Sequence, residues 1–179
     1  MEYTILRSRR KTIAIEITPA GQVLVRCPLR MPQREIRHFV DIKSNWIHTH
    51  LSRIRQTPSQ PPFSDTELAS MKVWAKETIP DQTAFWAARI GVQYNRISIR
   101  SQHSRWGSCS SKGNLNFNCL LALVPENVLD YVIVHELCHR KHMNHSPAFW
   151  AEVARYLPDY EASRIWLKRE GSRLIARLP

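Results

Sequence analysis

Residues 128–150 read VLDYVIVHELCHRKHMNHSPAFW, and the interpretation of the whole chain turns on this stretch. Its first half, Val128 to Val134, is apolar on nearly every face, which is the pattern of a helix buried in the middle of a domain rather than lying on its surface. His135 and His139 follow four residues apart. On a helix that spacing leaves them about 40° apart around the axis, so two imidazoles one turn apart can reach a single ion. Glu136 lies about 100° round from His135, too far to share the ion easily but well placed to accept a proton beside it. Burying two histidines and a carboxylate beside such an apolar run is costly without a partner for their charge, and a metal ion supplies one.

That division of labour is the one found in His-Glu-x-x-His zinc hydrolases, where metal and carboxylate together generate a nucleophile from water. For a third ligand the expectation is His145, six residues beyond His139. Ser146 can N-cap a new helix and Pro147 can occupy its first turn. The buried helix is therefore expected to stop near His142–Asn144, with Asn144 suited to a left-handed turn. The resulting HExxHxxxxxH pattern has the offsets of the metzincin motif, with His142 where that motif has glycine. His142 itself, Glu152 and Glu161 are rival third ligands. His38, His48, His50 and His103 lie in basic or polar stretches and read as surface residues. Three protein ligands would leave a position for water, the mark of a catalytic site.

Working outward, NLNFN (114–118) alternates Asn114, Asn116 and Asn118 with Leu115 and Phe117, a strand with one amide face and one apolar face. Asparagine forms strands poorly, so three on one face point to a site using amide donors and acceptors. With Arg105 they are the candidate substrate-binding residues; Arg105, Tyr131 or this strand is the expected source of a second oxyanion donor. QYNRISIRS (93–101) is a further strand. Residues 66–90 read as a helix capped by Ser64 or Asp65, interrupted at Pro80 and closed by Gly91. Towards the N-terminus, alternating Ile13, Ile15 and Ile17, the turn PAG and then Val23 and Val25 make a β-hairpin. Residues 33–55 make one helix bent near Ser44–Asn45. TPSQPPFS (57–64) is Pro- and Ser-rich and reads as a linker. The expected division is a basic hairpin and helix region at 1–56, the linker at 57–64, and a catalytic domain at 65–179.

With 179 residues and 43% hydrophobic side chains, the chain can build a core without covalent staples. Cys27, Cys109, Cys119 and Cys138 form no CxxC pair, so free thiols in a reducing setting are expected. The N-terminus lacks a continuous apolar signal segment, and no run approaches the ~18 apolar residues of a membrane span, so the expectation is a cytoplasmic protein. The net charge is +11, of which residues 1–55 carry +7 from 11 basic and 4 acidic side chains. Such a field favours polyanions as partners of the N-terminal region. A nucleic-acid-binding protein with structural zinc is accordingly one reading, although no nucleic-acid motif accompanies the charge.

RWGSCSSKGNLNFN (105–118), the quoted stretch 128–150, PDY (158–160), WL (166–167) and the N-terminal RSRRKTIAIEITPAGQVLVRCP (7–28) and NWI (45–47) together resemble the YgjP-like metal-dependent hydrolase family, also called the YgjP-like metallopeptidase domain. The family is similar to the SprT-like and WLM peptidase groups. The resemblance implies an α+β zincin-like core, helices with a small antiparallel sheet, preceded by the N-terminal hairpin and helix. It implies zinc held by His135, His139 and His145, with Glu136 as general base. Its peptidase label implies a peptide substrate, whereas some members are described as nucleoside triphosphate pyrophosphatases acting on UTP. Zinc-bound hydroxide can attack phosphorus as well as carbon, so a nucleotide substrate is the alternative. Against it, the chain has no Gly-rich phosphate loop and no carboxylate cluster for magnesium.

Overall fold

A computed structural model describes residues 2–18, 21–56 and 60–179. The expected turn residues Pro19 and Ala20 and the first three linker residues, 57–59, lie outside the described residues. The chain divides into two compact units, residues 1–60 and 61–179, and its architecture is mixed α+β.

In the first unit, strands β1 (Thr4–Ser8), β2 (Ala14–Ile17) and β3 (Val23–Pro28) precede helices α1 (Gln33–Ile42) and α2 (Ser44–Gln56). β2 and β3 form the antiparallel hairpin read from the isoleucine alternation, pairing Ile15 with Val25 and Ile17 with Val23. Gly21 takes φ +78°, a conformation that glycine adopts without steric cost. β1 is an additional strand, parallel to β3. It was not legible because three of its five residues are polar and its Leu6 is exposed, so no apolar alternation marks it. Arg7 fastens it by donating from Nη1 to the carbonyls of Leu29 and Met31 at 2.9 and 2.7 Å. Val23, Val25 and Cys27 on β3 close the core with Ile36, Val40 and Ile47. The helix expected to bend is two helices, broken at Lys43, whose N–H is shared between the carbonyls of Phe39 and Val40.

The second unit opens with α3 (Asp65–Ile90). Ser64 and Glu67 make a reciprocal capping box at its start, and Gly91 ends it at φ +73°. The expected interruption at Pro80 does not occur, and α3 runs straight through that residue. Proline removes one backbone bond there, but Ala75, Ile79 and Thr83 on either side are wholly buried, and that packing outweighs the loss. Strands β4 (Arg96–Arg100), β5 (Gly107–Cys109) and β6 (Asn114–Asn118) follow, then a 3₁₀ turn at Cys119–Leu123. The sheet order is β4-β6-β5, with β6 antiparallel to β5 but parallel to β4. The small sheet is therefore mixed rather than wholly antiparallel, because β6 inserts between two strands that precede it. The same order, third strand in the middle, recurs in β1-β3-β2.

Helix α4 (Glu126–Cys138) packs against α3, β5, α5 (Pro147–Tyr156) and α6 (Tyr160–Trp166). Val128, Leu129, Tyr131, Val132, Ile133, Val134, Leu137 and Cys138 are all buried, as the apolar run requires. A π-helical turn (Leu167–Gly171) and α7 (Ser172–Ile175) complete the unit. All four cysteines are free thiols, and no helix among the described residues is long and apolar enough to cross a membrane.

Candidate metal centre

α4 delivers His135 and Glu136 from its last turn, and His139 is its C-cap residue at φ −63°. The helix ends at Cys138, earlier than the 142–144 expected from sequence. The N–H groups of Arg140, Lys141 and His142 tighten the exit by bonding to Leu137 and Cys138 carbonyls. Asn144 is not left-handed, since among the described residues only glycines have positive φ. Its Oδ1 instead accepts the Ser146 N–H at 3.3 Å, a local turn that competes with the left-handed form. That turn sets His145 immediately before α5, whose N-cap is Ser146 and whose first residue is Pro147.

The folded-back chain brings the three imidazoles together. One ring nitrogen from each of His135, His139 and His145 lies within 4.8 Å of the others, and His135 Nε2 is 3.0 Å from His145 Nε2. Two zinc–nitrogen bonds of about 2.0–2.1 Å at a tetrahedral angle put their nitrogens about 3.3 Å apart, close to the His135–His145 separation. The tautomer of His139 is consistent with the same use: Nδ1–H donates to the His142 carbonyl at 3.0 Å, which leaves Nε2 with a free lone pair. Burial, and then the neighbouring His139 and His145, push the His135 imidazole down to about 3. Burial also lowers His139, so both rings are held in the neutral form that binds metal.

An aromatic wall orients the rings. His139 stacks on Phe149 with centroids 4.6 Å apart, and His145 stacks on Trp150 at 5.6 Å. Trp150 stacks in turn on Tyr160, and Tyr160 on Tyr131. The Tyr131 hydroxyl lies 3.5 Å from His135 Nδ1, at the long limit of a hydrogen bond.

Glu136 packs against β5. A Cβ on Gly107 would lie 2.6 Å from Glu136 Oε1 and 2.7 Å from Cγ, so the strand lacks a side chain where the glutamate sits. Only 6% of Glu136 is exposed, and burial pushes its carboxyl up to about 8, against the opposing pull of Arg105. A proton acceptor poised near neutrality is what general-base chemistry requires.

The rival ligands are engaged elsewhere. Glu152 pairs with Lys141 at 2.6 Å and Glu161 with Arg164 at 2.9 Å, and His142 contributes its carbonyl rather than its ring. His38, His48 and His103 are exposed, and His50 packs on Trp46. Of the candidate substrate residues, Arg105 and Asn116 line a cavity of about 800 Å³. Asn114 lies on the same strand, with its Oδ1 buried and unpartnered. Asn118 does not present its amide to a ligand. It is 1% exposed; its Nδ2 donates to the Gln102 and Arg105 carbonyls, and its Oδ1 accepts the Leu120 N–H. Sequence reading missed Gly107, which lies in the short strand β5 that no apolar alternation marks, and the aromatic wall, which reads as ordinary core.

The family profile that matches this chain is described as YgjP-like, metallopeptidase domain, and it covers residues 11–77 and 69–170. The chain belongs to the YgjP-like family. The N-terminal region from residue 11 onward and the histidine cluster of this YgjP-like chain fall inside the match. No curated protein matches it. Among solved structures, it is 25% identical to the metallopeptidase zymogen of Pyrococcus abyssi abylysin, with a TM-score of 0.47, over 52% of this chain and 96% of that one. It is 26% identical to the metallopeptidase zymogen of Methanocaldococcus jannaschii jannalysin, with a TM-score of 0.45, over 52% of this chain and 94% of that one.

Proposed function

We propose that this YgjP-like protein is a zinc-dependent peptide hydrolase whose catalytic part is the unit from residue 61 onward. His135, His139 and His145 are its ligands and Glu136 is its general base. The observation that carries the reading is the convergence of three imidazole donors beside a buried carboxylate that a strand glycine makes room for. Membership of a family described as a metallopeptidase domain supports the peptide substrate over a nucleotide.

His135, His139 and His145 would hold the zinc, which would supply Lewis acidity towards a carbonyl oxygen and a water. The protein's own groups do the rest. Glu136 takes a proton from the attacking water and passes it to the leaving amine, in the roles of general base and then general acid. Phe149 and Trp150 hold the imidazoles of His139 and His145 in place. The His142 carbonyl keeps the proton of His139 on Nδ1, so Nε2 remains the donor. Arg105, whose charge acts on Glu136, is the cation available to stabilise developing negative charge.

The test pairs metal analysis with turnover. Glu136→Gln should keep its zinc while kcat on a cleaved peptide falls about 10²–10⁴-fold, the usual contribution of a general base. His135→Ala, His139→Ala and His145→Ala should each lose the metal. Screening peptides beside nucleoside triphosphates decides the substrate. Hydrolysis of triphosphates alone would overturn the peptidase reading, and full activity in Glu136→Gln would remove the base.

A further inference from the structure

The cavity bordered by Ser108 of β5 holds a concentration of positive charge of which the catalytic reading uses only Arg105. Its lining combines Lys72 from α3, Arg100 from the end of β4 and Arg105 from the following loop with Ser101, Gln102, Ser108, Asn116 and Ile99. No acidic residue lines it. Among the described residues none of the three cations forms a salt bridge, although four other cations of the chain do. Like charges gathered from three separate elements repel one another, and an anionic ligand offsets that repulsion.

The loop backbone and the polar strand residues of the lining are held in place. The buried Asn118 clamps the loop by donating Nδ2 to the carbonyls of both Gln102 and Arg105, at 2.8 and 3.0 Å. Asn116 Nδ2 donates to Ser108 Oγ at 3.1 Å, so the serine's own proton is free to point elsewhere. Ser108 directly follows Gly107, whose missing side chain accommodates Glu136. The cationic cavity and the candidate base are thus neighbours along one three-residue strand.

We propose that this cavity is the subsite for an anionic part of the substrate, and that the substrate is an acidic peptide with carboxylates flanking the bond that is cut. Phosphate offers the same oxyanion chemistry and is the competing source. The proposal rests on the peptidase reading for its catalytic consequence but not for binding, so two measurements separate them. The first is KM and kcat for three peptides sharing one scissile sequence and differing only in flanks that are acidic, neutral or basic. They are measured with wild type, with Lys72→Glu/Arg100→Glu, and with Lys168→Glu/Arg169→Glu, an equal charge change at exposed residues outside the cavity. The cavity variant should raise KM for the acidic peptide about tenfold or more, as expected for lost charge-assisted bonds, with KM for the neutral peptide and kcat unchanged. The distal variant should match wild type. An equal loss in both variants, or a wild type indifferent to the flanks, overturns the proposal.

The second measurement is equilibrium binding of the acidic peptide and of inorganic triphosphate to folded Glu136→Gln protein, needing no turnover. Peptide binding weakened only by the cavity substitutions upholds the subsite even if no peptide is cleaved. Triphosphate binding through Lys72 and Arg100 with no peptide binding overturns the acidic-peptide assignment.

Discussion

Gly107→Ala is the most direct probe of whether Glu136 is held where its chemistry demands. The added Cβ would lie 2.6, 2.7 and 2.9 Å from Oε1, Cγ and Cδ of the glutamate. Ordinary contact begins at 3.4 Å, so the carboxylate must retreat by 0.8 Å or the strand must shift by as much. Gly107 does not have positive φ, so alanine meets no backbone penalty and the effect is purely steric. An exposed glutamate would swing aside; this one is 6% exposed, on the buried helix α4. Displacements near 1 Å cost about 10²-fold in rate, and overpacking costs about 1–3 kcal/mol of stability. The expected result is therefore a kcat/KM near one hundredth of wild type in a folded protein that keeps its metal, because the atoms nearest the new Cβ all belong to Glu136 and none to the three imidazoles. Peptide turnover, metal content and thermal unfolding are measured on one preparation. Wild-type turnover with full metal content would refute the reasoning, since the glutamate could then be moved without consequence.

Trp150→Leu removes the surface on which His145 stacks; metal affinity should fall about 10–100-fold, as loss of an orienting neighbour does, read by competition with a chelator. Gly91→Ala has no neighbour within 4 Å of its new Cβ but keeps φ +73°, so it should lower stability by about 1–2 kcal/mol in urea melts and leave turnover untouched. The backbone N–H and hydroxyl of Ser64 hold the Glu67 carboxyl below its ordinary 4.5. A depressed carboxylate stabilises the fold above its unfolded value and loses that contribution as pH falls through the lower folded value. The stability of wild type should therefore fall more steeply below pH 4.5 than that of Glu67→Gln, and parallel curves would show that the ionised Glu67 carboxylate adds nothing beyond what a neutral acceptor gives.

The parts of this protein that were legible from sequence are those written in local periodicity. The all-round apolar run before His135 marks α4 as central, the four-residue spacing of His135 and His139 brings their rings together, and Ser146–Pro147 announces the next helix. What escaped depends on partners distant in sequence. β1 and β4 each pair in parallel with a strand that arrives later, and nothing within their own residues says so. The end of α4 was misplaced because Asn144 can satisfy a turn in two ways, and the side-chain bond to Ser146 won over the left-handed backbone. Asn118 was grouped with Asn116 because alternation reports which face a residue takes, not whether its amide is already engaged.

The centre divides into two halves with different mechanical support. His135, Glu136 and the strand glycine opposite belong to α4 and β5, whose contacts are buried and formed by the core itself. His145 is exposed and belongs to the return of the chain, and what surrounds it is weaker and more local. The Lys141–Glu152 pair, the Asn144 turn and the Trp150 face are its neighbours. Substitutions at Glu136 and Gly107 in the first half should therefore act on turnover at constant metal content, and substitutions in the second should act on metal retention at constant turnover per bound ion. Gly107→Ala and Trp150→Leu sit on opposite sides of that division. If the tryptophan variant keeps its metal while losing turnover, the third histidine contributes to the reacting geometry rather than to holding the ion, and the ligand set would have to be redrawn around His135 and His139.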